Sequence, residues 1–347
     1  MPVFELDPKS LPWPVNWSEI YGRTAPLLIE IGFGGADFLV ELARTRPNAN
    51  ILGVEISAPS MRKAAKKLNN AGVGNGRALQ ANARLLLQAL CAPQSVSEIH
   101  INFPDPWPKD KHHGRRLISD NFLLLAASRL VPGGKLHIAT DHAGYAHWIQ
   151  EHLSRTPFFH SQTAVPFLTE DDDRLRTKYE LIALNEGRTC HYFKYARNQT
   201  PAPDKFPVPQ ELPMPHVVLQ SPLTLRQIGE RFQPDTAVSG DTHVKLLEMF
   251  QSLYDDKLLV EAYINEQPLR QRVGLAIRQR ETGDLVIGLH EVGFPRPTPG
   301  VQLAIAHLAQ WVASLHPDTA VLKTNIPEKL EKKARARNPL TSRSRSN

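Results

Sequence analysis

The residues best suited to chemistry lie in one run, Ile101-Asn102-Phe103-Pro104-Asp105-Pro106-Trp107-Pro108-Lys109, followed after a short polar gap by Arg115-Arg116. A carboxylate fixed between two prolines can face positive charge developing on a planar base. The ring two residues on can stack on that base, and the cations beyond can hold a nearby phosphate. This is the equipment for base chemistry on a nucleic acid. A rigid strand-to-loop exit whose Trp107 caps the core is the competing reading of the same residues.

A second constellation lies upstream. Glu30-Ile31-Gly32-Phe33-Gly34-Gly35-Ala36 reads as a strand running into a glycine loop, where Gly32 and Gly34 let the backbone turn sharply and approach a ligand closely. A dinucleotide loop wants a third glycine three residues after Gly34, but Asp37 stands there, a poor neighbour for a pyrophosphate. With Glu30 also at hand, the loop suits a cationic ligand such as the sulfonium and amino group of S-adenosylmethionine. Glu55, at the end of the next strand, is placed to hold the two ribose hydroxyls of an adenosine, and Asn82, after the third, to bond its adenine. Simpler roles are open for each: Glu30 as an acid at a helix N-terminus, Glu55 as a solvated charge, Asn82 as a residue satisfying its own backbone.

The elements that must position these residues follow from periodicity. Apolar runs of strand length, Leu27 to Ile31, Ile51 to Ile56, Arg77 to Ala81, Glu98 to Phe103 and Lys135 to Thr140, alternate with helical patterns. That alternation predicts an α/β fold with a doubly wound parallel sheet. Helices are expected around Phe38 to Ala43, over Ser57 to Asn70, and over Ile118 to Leu130, the last ended by Pro132-Gly133-Gly134. Thr189 to Arg197 reads as a closing strand at an antiparallel edge.

Pro201, Pro203, Pro207, Pro209, Pro213 and Pro215 then mark residues 201–216 as a stiff linker after a first domain of residues 1–200. Residues 217–327 read as a small α+β domain. Its helices are expected near Leu223 to Phe232, Thr242 to Tyr254 and Val301 to Leu315, and its strands over Leu258 to Ile264, Arg270 to Arg278 and Leu285 to Glu291. Residues 201–328 hold eleven basic and fifteen acidic residues, whereas the tail from Lys329 carries seven Lys/Arg against one acid, so residues 328–347 read as disordered and cationic.

Bulk properties agree with a polyanionic partner without proving one: 41 Lys+Arg stand against 35 Asp+Glu, a formal charge of +6. Two distant cysteines exclude a disulfide framework and a Cys-based zinc site. His112-His113 has no third ligand at a useful spacing, so no metal is expected. Without a signal segment or a long apolar run, the chain reads as soluble, free of the membrane and cytoplasmic.

In order and spacing, Glu30-Ile-Gly-Phe-Gly, Gly-Val-Glu55, Phe-Pro-Asp105-Pro-Trp-Pro-Lys109, Ala139-Thr-Asp141 and Arg176-Thr-Lys-Tyr-Glu180 resemble the bacterial tRNA (guanine-N7)-methyltransferases. The resemblance covers roughly residues 20–200. It implies a Rossmann-like S-adenosylmethionine-dependent methyltransferase domain that modifies a guanine in the tRNA variable loop. It further implies that Glu30, Glu55, Asn82 and Asp105 contact the methyl donor, with Asp105 catalytic, while Lys109, Asp141, Thr177, Lys178, Tyr179 and Glu180 contact tRNA. From the residues alone, Asp141 equally suits a helix cap, and Thr177 with Glu180 a capping box. Asn82 stands where the family often has Asp, Ala36 where a loop glycine is common, and Tyr179 where Phe is more usual. Typical members end near Arg197, so the remainder is an extension. Methylation of an exocyclic amine and a silent RNA-binding protein are the competing readings; Trp107 in place of a second proline disfavours the first, and intact Glu30, Glu55 and Asp105 the second.

Overall fold

The computed structural model describes residues 4–8, 10–209, 212–292 and 295–327. The expected cationic tail, 328–347, lies outside the described residues. The chain forms two compact units divided after Pro209.

The first unit runs β1 (Glu5–Leu6), α1 (Trp17–Tyr21), β2 (Leu27–Ile31), α2 (Asp37–Thr45), β3 (Asn50–Glu55), α3 (Ala58–Asn70), β4 (Gly76–Gln80), α4 (Ala83–Leu85) and a π turn (Leu86–Leu90). It continues through β5 (Val96–Asn102), a 3-10 turn (Asp110–Arg115), α5 (Asp120–Arg129), β6 (Leu130–Thr140), α6 (Ala143–Arg155), β7 (Phe159–Ser161), α7 (Lys178–Asn185) and β8 (His191–Arg197). The sheet order is β1-β4-β3-β2-β5-β6-β8-β7, parallel from β1 to β6 and antiparallel beyond. β2 therefore has β3 on one side and β5 on the other, which is the switch point where α/β sheets open a crevice at their carboxyl ends.

β2 is buried along its whole length and β5 nearly so, as expected of strands covered on both faces. Met61, Ala64 and Leu68 recur at helical spacing on α3 and pack with Phe38, Leu39 and Leu42 of α2. Gly53 lets the layers approach, because a Cβ there would lie 2.6 Å from both Leu39 and Phe33. Two expectations are corrected. The closing strand β8 is not the edge, since β7 pairs outside it. Pro132-Gly133-Gly134 does not terminate a helix but lies inside β6, beside a register shift against β5 that accommodates the irregular backbone.

The second unit contains β9 (His216–Gln220), α8 (Leu225–Gly229), β10 (Asp235–Ser239), β11 (Thr242–Gln251), β12 (Lys257–Glu266), β13 (Leu269–Gln279), β14 (Leu285–Leu289), α9 (Pro299–Ser314) and β15 (Ala320–Thr324). Its seven-stranded antiparallel sheet has the order β10-β11-β12-β13-β14-β9-β15. Val301, Ile305, Leu308 and Val312 of α9 pack against one face. The helix expected over Thr242 to Tyr254 is strand β11 instead. Val244 and Leu246 point inward at period two, then a bulge between Leu246 and Glu248 breaks the alternation and returns Met249 to the core. Strong helix formers in this segment yield to the pairing that two neighbouring strands offer.

Arg129 closes the first unit. Its wholly buried guanidinium donates to the Leu87 carbonyl at 2.7 Å, to Ser128 Oγ at 2.9 Å, to Asp204 Oδ1 at 3.1 Å and to the Phe206 carbonyl at 2.5 Å. Residues 204–206 are thereby tied to the π turn and the end of α5. Removing one partner of a buried ionic cluster strands the others, and Asp204 retains a third of its side-chain exposure, so Arg129→Ala should cost about 3 kcal/mol, the low end for such losses. Urea unfolding of the full chain measures this, together with earlier proteolysis within residues 200–209; an unchanged midpoint would contradict the assignment.

Candidate active site

The carboxyl ends of β2, β3, β4 and β5 open into one cleft of about 860 Å³. Its lining includes Glu30, Gly32, Gly34, Glu55, Asn82, Asp105, Thr177, Lys178 and Tyr179, so nine of the residues singled out by the sequence converge on one cavity. Lys109, Asp141 and Glu180 do not line it.

The floor is acidic. Glu30 is buried at the end of β2; Oε1 accepts from Asn102 Nδ2 at 3.2 Å, while Oε2 is buried with no hydrogen-bond partner. Burial pushes its carboxyl up to about 8, against the lowering effects of the Asn102 bond and the Arg174 charge; Glu55 and Asp37 push it further up. The loop after β2 turns through left-handed backbone at Gly32 (φ 79°), Gly34 (φ 48°) and Ala36 (φ 63°). Glu55 secures that loop: Oε2 accepts from the Gly34 N–H at 3.1 Å, and Oε1 from the Ile56 and Ser57 N–H groups at 2.8 and 3.1 Å. Asp37 contributes less free charge than its position suggests, because Lys67 pairs with it at 2.5 Å and also donates to the Gly35 carbonyl. Asn82 caps α4, accepting from the Leu85 N–H at 2.8 Å through Oδ1, which leaves its amide nitrogen at the cleft.

Asp105 stands at the mouth between two residues in left-handed conformations, Phe103 (φ 51°) and Trp107 (φ 42°). Neither is glycine, so this backbone is strained and must be held by its surroundings. Arg116 does much of the holding: Nε donates to the Pro106 carbonyl at 2.8 Å, and its buried guanidinium lies 5.2 and 4.9 Å from the Tyr145 and Trp148 ring centres. Trp107 is not a core lid. It is half-buried on the cleft wall, stacked on His112 at 5.9 Å and carrying the Arg115 guanidinium 5.0 Å above its ring.

On the opposite rim, Thr177 begins α7 with a complete capping box, its hydroxyl accepting from the Glu180 N–H and the Glu180 carboxylate accepting from the Thr177 N–H. Tyr179, 62% exposed, leans over Gly34, where an added Cβ would lie 3.6 Å from Tyr179 Cε2. Glu180 is fully buried and accepts from Arg174 and Tyr192 as well, so it is placed to hold the rim rather than to touch a substrate. Asp141 pairs with Arg188, and His142, not Asp141, caps α6 through Nδ1. Lys109 is exposed at the start of the 3-10 turn.

Three contributors escaped the sequence reading. Asn102 engages Glu30, and Arg174 engages Asn102, each across 72 residues of chain, a separation that no local pattern reports. Ile56 is 71% exposed in the cleft, an apolar surface beside the Glu55 carboxylate; its position directly after an acid at a strand end was the available signal.

Residues 24–193 match a family model described as a putative methyltransferase. The chain is 31% identical to a tRNA (guanine-N(7)-)-methyltransferase of Thermus thermophilus over 85% of this chain and 92% of that one. With the namesake of Thermotoga maritima it is 30% identical over 88% and 96%, and with that of Cutibacterium acnes 41% identical over 51% and 65%. The first two matches span 301 and 309 residues and so extend well past Pro209 into the second unit, which is therefore not peculiar to this chain. With a family-model match over the catalytic sheet and relatives covered almost end to end, the chain belongs to the tRNA (guanine-N(7)-)-methyltransferase family.

Proposed function

We propose that this protein transfers a methyl group from S-adenosylmethionine to N7 of a guanine in tRNA, a guanine that the motif resemblance implies to be in the variable loop. The observation that carries the reading is the pairing, within one cleft, of the orphaned Glu30 oxygen with the solvent-facing Asp105 carboxylate. A buried acceptor without a partner calls for a donor from a ligand, and a cationic one matches it best.

When bound, S-adenosylmethionine supplies an electrophilic methyl on positively charged sulfur. Glu30 and the Gly32–Gly34 loop would hold its cationic end, Glu55 its ribose, and Ile56 and Asn82 its adenine. Guanine N7 carries a lone pair outside the aromatic system, so no proton has to be removed and no general base is needed. What the chain must supply is alignment and electrostatic support as positive charge moves onto the purine. Asp105 is the carboxylate placed to give that support, and it can accept hydrogen bonds from the guanine N1 and amino edge. Trp107 and Tyr179 both line the cleft and offer rings for an extruded base. Lys178 and Arg115 at the cleft, with Lys109 and Lys111 on the loop outside it, offer cations for phosphates. The volume of about 860 Å³ is near the upper end for a small-molecule site, roughly 300–1,000 Å³, which suits a donor and a base side by side.

Asp105→Ala is expected to lower kcat by about 100-fold or more, the cost of removing one preorganised electrostatic group, with little change in melting temperature. Mass spectrometry of nucleosides from tRNA lacking 7-methylguanosine reads the product; N2-methylguanosine instead, or no transfer by the unaltered protein, would reject the assignment.

Glu30 gives a pH dependence of known sign. Its carboxyl, raised to about 8, is mostly protonated at neutral pH in the free protein, and a cationic ligand favours the ionised form. Donor affinity should therefore rise with pH until about 8, with close to one proton released per donor bound near neutrality. Calorimetry in buffers of different ionisation enthalpy measures that proton. Glu30→Gln should bind more weakly and abolish the release.

A further inference from the structure

The two halves of the cleft come from distant parts of the chain, yet one guanidinium reaches the machinery of both. Arg174, on the segment before α7, donates from Nη2 to Asn102 Oδ1 at 2.8 Å and from Nε to Glu180 Oε2 at 3.1 Å. Because Asn102 Oδ1 is taken by a cation, its Nδ2 is the group turned to Glu30 Oε1, 3.2 Å away. On the other side, Glu180 accepts from the Thr177 N–H at 3.2 Å and from the Tyr192 hydroxyl at 3.0 Å, and the Arg174 guanidinium lies 5.0 Å from the Tyr192 ring centre. Side chains thus run without a break from Glu30 through Asn102, Arg174 and Glu180 to Thr177, where the rim carrying Lys178 and Tyr179 begins.

This chain is buried at both ends. Glu180 is fully inaccessible and Glu30 nearly so, and Arg174 is the cation shared between them. Two donors diverging from one rigid plane serve Asn102 and Glu180 together; an ammonium on a flexible stem cannot keep both bonds in the same geometry. A shift of α7 toward a substrate therefore pulls on the group that directs the Glu30 carboxylate, and the reverse holds when a ligand draws on Glu30.

We propose that Arg174 is a positioning residue that couples donor binding to substrate binding, directing Glu30 through Asn102 and seating Thr177–Tyr179 through Glu180. The substrate half of this proposal rests on the tRNA reading above; the donor half does not. Linkage makes the coupling reciprocal, so it can be read on whichever ligand is easier to titrate.

The test uses the full chain with S-adenosylhomocysteine, which permits no turnover, titrated calorimetrically alone and with saturating unmodified tRNA. In the unaltered protein, tRNA should tighten its binding by about fivefold or more, the lower bound of ordinary couplings. Arg174→Ala and Asn102→Ala should each weaken binding by about tenfold, the loss of one charge-assisted hydrogen bond. Each should bring the tRNA effect close to none, and the double variant should be no worse than the weaker single one, as expected of neighbours in one chain. Arg174→Lys should not restore the coupling. Asn102→Ala leaves the Arg174–Glu180 pair intact, so it keeps the proposal testable if Arg174→Ala fails to fold.

The pH profile provides a further readout. Arg174, Glu55 and Asp37 are the charges that act on Glu30, and Asp37 is itself paired with Lys67. Losing the Arg174 cation should move the rise in affinity to higher pH, an effect that a purely mechanical strut would not produce. Additive losses in the double variant, full rescue by lysine, or no tRNA effect in the unaltered protein would each overturn the proposal. If S-adenosylhomocysteine binds but the protein makes no 7-methylguanosine, the functional reading fails while the Glu30–Asn102–Arg174 result still stands.

Discussion

A carboxylate buried at the end of a central strand with one oxygen unsatisfied is the constraint on which the site depends. Such a group costs free energy in the free protein, and protonation is the ordinary escape, which is what the raised pKa of Glu30 expresses. The surroundings limit that escape rather than remove it: Asn102 donates one hydrogen bond and Arg174 stands behind with its charge, while Glu55 and Asp37 oppose. The pocket is thus held in a state that a ligand donor improves, a cationic one most and an anionic one not at all. Selectivity for a positively charged donor follows from this desolvation before any shape complementarity is counted.

The second requirement is stiffness at Asp105. Two non-glycine residues in left-handed conformations flank the Pro-Asp-Pro step, and such backbone persists only where contacts over-determine it. The prolines restrict φ on either side of the acid, and Arg116, gripped by Tyr145 and Trp148, fixes the Pro106 carbonyl. An exposed carboxylate would otherwise sample many positions; here its freedom is spent in folding, so it need not be lost again when a base arrives.

How much of this the sequence disclosed depends on whether a feature is local. The strands of the first unit were legible because buried parallel strands read as short apolar runs, and the Thr177–Glu180 capping box because its partners are three residues apart. The roles within that box were not legible: whether Glu180 faces solvent or interior depends on how the chain folds back to set Arg174 and Tyr192 against it, which their irregular spacing does not announce. Asp141 shows the same limit: the helix starts one residue later than expected, so His142 occupies the cap position while Asp141 pairs with Arg188. In the second unit a single bulge was enough to disguise a strand. Val244, Leu246 and Met249 are spaced as neither a regular strand nor a regular helix would space them, and the helix-forming side chains between them pointed the wrong way.

The second unit raises a question of economy that the relatives sharpen. The Cutibacterium acnes relative is matched over half of this chain, whereas the Thermus thermophilus and Thermotoga maritima relatives carry the match beyond the first unit. The first unit already holds its own core, its own closing contacts around Arg129 and every residue of the cleft. Nothing about the chemistry of that cleft requires seven more strands and two helices. The second unit also buries its own apolar face under α9, so it does not depend on the first for a core. Two self-sufficient cores joined by a proline-rich stretch are the arrangement expected of two modules that fold separately.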